Sequence, residues 1–255
     1  MKQLQNLDPN LEKKINDTLH SESKLVKKIL NLIINDIKPP FTISIDGDWG
    51  TGKTTIMRLL KNSLEQKKLN YPTFWFNPWE YKESNDVVLA FLQKLAQKYT
   101  KVTGQKTEKI GKFFKLLFLA GIDVSARLIS NGNLSASIIK ENEKILKEDL
   151  KEWQNYHDII KEIKNEFVGL CSSISEKYGN KSLIIFLDDF DRCLPDDTIK
   201  LLEAIKNLFC TVDDEYNKPS VIFICVINTQ IAQNFIKKHY HLEDEKSNYS
   251  LNYFI

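Results

Sequence analysis

Residues Gly47-Asp48-Trp49-Gly50-Thr51-Gly52-Lys53-Thr54 follow the pattern GxxxxGK[ST]. That spacing lets a chain wrap its own backbone around a phosphate. The glycines permit a curl in which successive N–H groups point inward. The helix that follows would present its positive end to the β- and γ-phosphates of a nucleotide. Lys53 is expected to bridge the β- and γ-oxygens and the Thr54 hydroxyl to ligate Mg²⁺, with the binding surface running from Gly47 to Thr55. A glycine turn before an ordinary helix is the plain alternative, and the elements on either side argue against it.

A metal held on phosphates also needs an anchor from another strand. The apolar run Leu183 to Leu187 ends in Asp188-Asp189. A carboxylate at the C-terminal end of a buried parallel strand lies at the sheet edge where a phosphate loop also opens. Asp188 is therefore expected to hold the metal, directly or through water. Asp189 would orient and deprotonate the attacking water. The competing reading is a strand-to-helix turn in which an aspartate merely caps the helix. The phosphate loop in the same chain weighs against it.

These groups need a frame, and the chain supplies one. Leu25, Val26, Ile29, Leu30 and Ile33 recur at helical spacing before Pro39-Pro40, after which FTISID reads as a strand, GDWGTGKTT as the loop and IMRLLKNSLEQKK as a helix. A second strand follows at YPTFWFN and an amphipathic helix at 86–98. From 100 to about 180 something is inserted: a polar stretch, a short apolar helix at 113–122, and helical periodicity from Ser137 to Lys177 that reads as one long helix or two joined. KSLIIFLDD is a strand covered on both faces, PDDTIKLLEAIKNLF a helix with proline and acids in its first turn, SVIFICVIN another buried strand, and TQIAQNFIKKHY a last helix. Strands alternating with helices predict a parallel sheet with helices on both faces.

Composition narrows the field. The 255 residues are 42% hydrophobic, enough for one sizeable α/β core, so residues 1–255 are read as one domain with an insert. With 36 basic and 34 acidic residues the net charge is +2, which gives no broad footprint for nucleic acid or an anionic membrane. The four cysteines are widely spaced with no CxxC pair, which indicates neither a zinc site nor a disulfide framework. No run reaches the roughly 18 apolar residues of a transmembrane span, and the polar N-terminus is unlike a signal peptide. A cytoplasmic location is expected.

Together GDWGTGKT, WFNPWEY and LDDFDRC resemble the KAP family of P-loop NTPases over roughly residues 20 to 245. The resemblance implies a three-layer P-loop NTPase fold of the additional-strand class, in which a further strand lies between the P-loop strand and the one carrying the acidic pair. Asn77, Trp79, Glu80 and Tyr81 match the family's tryptophan-containing segment, and Asp191, Arg192 and Cys193 match its D-R-C signature. Many members carry transmembrane helices where this chain has its polar insert, so membrane attachment is not carried over. Members usually continue past the last helix seen here, so a compact or truncated form without a C-terminal lid is expected.

The remaining signals stay double-edged. Asn228 ends the fourth strand, where related ATPases place a polar residue that senses the γ-phosphate; a simple strand-end residue is the alternative. Asn228-Thr-Gln-Ile231 lacks the lysine and aspartate of the guanine-reading NKxD pattern, which favours ATP over GTP. Phosphoryl transfer gains from a positive group on the developing charge. The sequence offers only Arg58, Arg127 and Arg192. Arg192 is the choice, with pairing to Asp191 or Asp48 as its alternative. Trp49 and Trp79 are expected to pack rather than stack on a base. The expected function is hydrolysis of Mg-ATP by a nucleotide-controlled switch or assembly ATPase, with self-association or protein partners; the family implies a bacterial defence or signalling setting. The alternatives are an ATP-binding scaffold and, on the fold alone, a nucleic-acid motor.

Overall fold

The computed structural model describes residues 24–81, 87–104, 156–206 and 220–239. Most of the insert, including the apolar stretch 113–122 and Arg127, and the residues after 239 lie outside the described residues.

Helix α1 covers residues 24–36, its last turn widening over Leu32–Asp36 and closing with Ile37 N–H on the Leu32 carbonyl at 3.0 Å. The prolines at 39 and 40 forbid its continuation. Strand β1, Phe41–Asp46, leads through the glycine-rich loop into helix α2, Lys53–Glu65. Strand β2, Thr73–Phe76, ends in a tight turn at Pro78–Tyr81, and helix α3 follows at Val87–Thr103. Helix α4, Tyr156–Glu176, returns the chain to strand β3, Leu183–Leu187. After a short turn at Phe190–Arg192 come helix α5, Pro195–Ala204, strand β4, Val221–Ile227, and helix α6, Thr229–His239.

All strand pairs are parallel and the order is β1-β4-β3-β2. Every residue of β3 and β4 is buried, as continuous apolar runs require when both faces are covered. Alternation then divides the core in two. Ile184, Phe186, Ile222, Ile224 and Val226 pack with Ile56, Met57, Leu60 and Leu64 of α2 and with Val26, Ile29 and Ile33 of α1. Leu183, Ile185, Leu187, Val221, Phe223 and Cys225 face the opposite layer, where Phe91 and Leu95 of α3, Phe167 and Leu170 of α4, Leu201 of α5 and Ile236 of α6 lie. The described residues thus form three layers, helix on sheet on helix. Because the strands are parallel, the loops after β1, β2, β3 and β4 all open at one edge of the sheet.

Candidate active site

The loop after β1 is shaped by its glycines. Gly52 takes φ 86°, a left-handed conformation that a side chain would resist, and no side chain caps the helix it precedes. The first N–H groups of α2 are therefore left for a ligand. A Cβ at Gly47 would stand 2.9 Å from Thr51 Oγ1, which donates to the Asp48 carbonyl at 2.7 Å. The buried Lys53 extends back under this curl, its Nζ donating to the carbonyls of Gly47 at 2.6 Å and Asp48 at 2.8 Å. The lysine is fixed inside the loop rather than waving in solvent.

The acids at the end of β3 meet that loop. Asp188 is only 3% exposed. Its N–H donates to the Phe76 carbonyl at 3.1 Å, continuing the β2–β3 ladder. Its Oδ1 accepts from the Thr54 hydroxyl at 3.1 Å and from the Asp189 N–H at 3.0 Å. Burial first, then the charge of Asp189, pushes the Asp188 carboxyl above its ordinary 3.8; the Thr54 hydroxyl, the Asp189 N–H and the Arg58 charge pull the other way. A buried carboxylate beside a hydroxyl, at a helix N-terminus, is a set of hard oxygen donors that fits Mg²⁺. These residues suit the ion expected with a nucleotide.

Asp189 sits in the left-handed region at φ 57°, ψ 31°. Such a backbone is strained for a side-chain-bearing residue, though least so for Asp and Asn. It turns both carboxylate oxygens toward partners: Oδ2 accepts from Asn77 Nδ2 at 3.0 Å, and Oδ1 lies 3.0 Å from Arg192 Nε. Arg192 thus pairs with Asp189, a partner the sequence reading did not weigh; its side chain is 57% exposed.

Asn228 donates from Nδ2 to Asp48 Oδ1 at 3.1 Å and accepts the Ile231 N–H at 3.1 Å, so it ties the β4 end to the loop. Next to it, Asp46 Oδ1 accepts the Thr229 N–H at 2.9 Å. An open cleft of about 320 Å³ is lined by Trp49, Gly50, residues 52–55, Asp188, Asp189, Arg192 and Val226. Trp49 is 67% exposed and borders this cleft, in contrast to the packing under the loop that its sequence predicts. Arg58 points outward from α2. Of the expected residues, Gly47, Asp48 and Thr51 shape the loop, and Asn228 reaches it from outside the cleft lining. Local sequence pattern assigns no task to Asn77 or to Asp46. Both are polar residues at strand C-terminal ends, and that position was the available signal.

The profile of the KAP family P-loop domain matches residues 21–254. The chain belongs to the KAP family. The match and the parallel sheet fit a nucleotide-binding P-loop domain. The domain is also 38% identical over 74 residues to an uncharacterized protein of Methanocaldococcus jannaschii, a match that covers 28% of this chain and 37% of that relative. No described helix of the KAP domain is long and apolar enough to cross a membrane.

Proposed function

We propose that this KAP domain binds Mg-ATP and hydrolyses it to ADP and phosphate, and that nucleotide state controls its assembly with partners or with further copies of itself. The observation that carries the proposal is the 3.1 Å hydrogen bond from Thr54 to Asp188, which joins the phosphate loop to the acidic strand end across 134 positions of sequence. Lys53 and the α2 N–H groups hold the β- and γ-phosphates, and Thr54 and Asp188 hold the metal. When bound, Mg²⁺ neutralises charge on the phosphate oxygens. Asp189 orients the attacking water and takes its proton, while Arg192, on the same cleft, serves the developing phosphate charge. Asn228 relays the state of the loop through Asp48. The position of β4 between β1 and β3 supports assignment to the additional-strand class.

The test compares two variants with wild type. Lys53→Ala is expected to abolish ATP binding, and Asp189→Asn to bind ATP yet release no phosphate. Undiminished phosphate release from the Asp189→Asn protein would remove Asp189 as the base. Recovery of intact ATP after long incubation of the wild-type chain with Mg²⁺ would instead leave a nucleotide-binding scaffold.

A further inference from the structure

We infer that Asn77 is a positioning residue for Asp189, acting through a side-chain amide whose orientation is dictated by the turn at Pro78–Tyr81. The inference rests on the reading of Asp189 as the base and adds the residue that aims it.

Register comes first. Phe76 pairs with Leu187, so the residues that follow each of them, Asn77 and Asp188-Asp189, leave the sheet side by side. The turn after β2 is then pinned in two ways. The Glu80 N–H donates to the Asn77 carbonyl at 3.2 Å, and the Tyr81 ring stacks on the buried Phe76 ring with centroids 5.1 Å apart and planes 13° apart. Within that turn the Trp79 N–H lies 3.0 Å from the Asn77 side chain. A backbone N–H can only donate, so the atom it meets must be the amide oxygen. The nitrogen is thereby forced to the other side, where it stands 3.0 Å from Asp189 Oδ2 as a donor. Arg192 occupies the opposite oxygen, so the carboxylate plane is set by two donors from different segments. Arg192 holds Asp189 from within its own turn; Asn77 holds it from a different strand end.

A plainer role competes: Asn77 could serve only to cap the turn by accepting the Trp79 N–H. Two substitutions separate these roles. Asn77→Asp keeps an oxygen for that N–H but removes the donor and sets a carboxylate against Asp189. In either role the new carboxylate lowers stability, so Asn77→Ala is the control: a turn cap alone would lose stability and keep its rate, whereas a positioning residue loses both.

The experiment measures nucleotide affinity, single-turnover ATP hydrolysis at pH 8 and Tm for wild type, Asn77→Asp, Asn77→Ala and Asp189→Asn. Asn77→Asp is expected to melt lower than wild type at pH 8, because two carboxylates then face each other, to bind ATP within about twofold of it, and to hydrolyse roughly 10- to 100-fold more slowly, the signature of lost orientation rather than lost binding. Asn77→Ala is expected to lose a similar factor in rate and to melt lower, because the turn loses its acceptor. Wild-type hydrolysis by Asn77→Asp beside an inactive Asp189→Asn would overturn the inference while sparing the base. Wild-type hydrolysis by Asp189→Asn would overturn both.

Discussion

Gly47→Ala isolates what the first glycine of the loop contributes. The new methyl would stand 2.9 Å from Thr51 Oγ1, closer than real side chains come, so something must yield. The cheaper response is rotation of the Thr51 hydroxyl, which forfeits its 2.7 Å bond to the Asp48 carbonyl and costs about 1 kcal/mol. The dearer one is a backbone shift, which on the scale of overpacked sites costs about 1–3 kcal/mol. It would also disturb the carbonyls of Gly47 and Asp48 that hold Lys53. Without nucleotide an exposed loop can relax, so the penalty falls on the conformation that grips phosphate and appears as lost affinity rather than lost stability. ATP is therefore expected to bind about 5- to 100-fold more weakly at about 1.4 kcal/mol per factor of ten, with Tm nearly unchanged. Calorimetric titration on Gly47→Ala, Thr51→Ala and the double variant reads this directly. In the Thr51→Ala background the obstructing hydroxyl is gone, so the alanine at 47 should lose that share of its cost and keep only the strain of its backbone at φ 158°. An equal penalty in both backgrounds would refute the steric argument.

Leu60 of α2 is fully buried between helix and sheet, and Leu60→Ala is expected to cost about 2–5 kcal/mol and lower Tm by roughly 5–15 °C by scanning calorimetry; an unchanged Tm would contradict the packing described. Asp188 gives a pH-dependent test. Its carboxyl titrates above 3.8 in the fold because of burial and the Asp189 charge, so the native state keeps a proton that the unfolded chain has already lost. Stability from this group therefore declines as pH rises from 3.8 through the folded value, and stays lower above it. Asp188→Asn should raise the Tm of the nucleotide-free protein at neutral pH while weakening Mg²⁺-dependent ATP binding; a lower Tm would contradict the sign. Mg²⁺ and that proton compete for one carboxylate, so metal affinity in the wild type should fall toward acid pH and lose this dependence in the variant.

Local chemistry made some of this legible in the sequence and long-range pairing hid the rest. The loop 47–54 needs only its own residues to be recognised, and β3 and β4 announce themselves as unbroken apolar runs because helices cover both faces. Strand order is different: no residue of β4 says that it lies between β1 and β3, and the resemblance to relatives implied only that some further strand lies there. The polar residues after 98 predict that α3 ends there. The helix runs on to Thr103, since Tyr99 is fully buried and the hydroxyls of Thr100 and Thr103 bond back to the carbonyls of Ala96 and Tyr99. Likewise α2 begins at Lys53, three residues before the apolar periodicity starts at Ile56. The Asn77–Asp189 contact joins residues 112 apart and was invisible to any local pattern. Arg192 shows the opposite failure: its partner is only three residues away, but the left-handed backbone at Asp189 that bends the chain back on itself could not be read from residue type.

The complete burial of β4 limits how a signal could leave this molecule. A strand with a hydrogen-bonded neighbour along each edge and packed helices over each face has nowhere to slide, so the floor beneath the cleft is stiff. On the proposed function, the change from triphosphate to diphosphate would pass along the rim, through short connections such as Asn228 to Asp48 and Thr229 to Asp46, into the first turn of α6. The outward messenger on that reading would be α6, swung at its root, with the sheet as its fixed bearing.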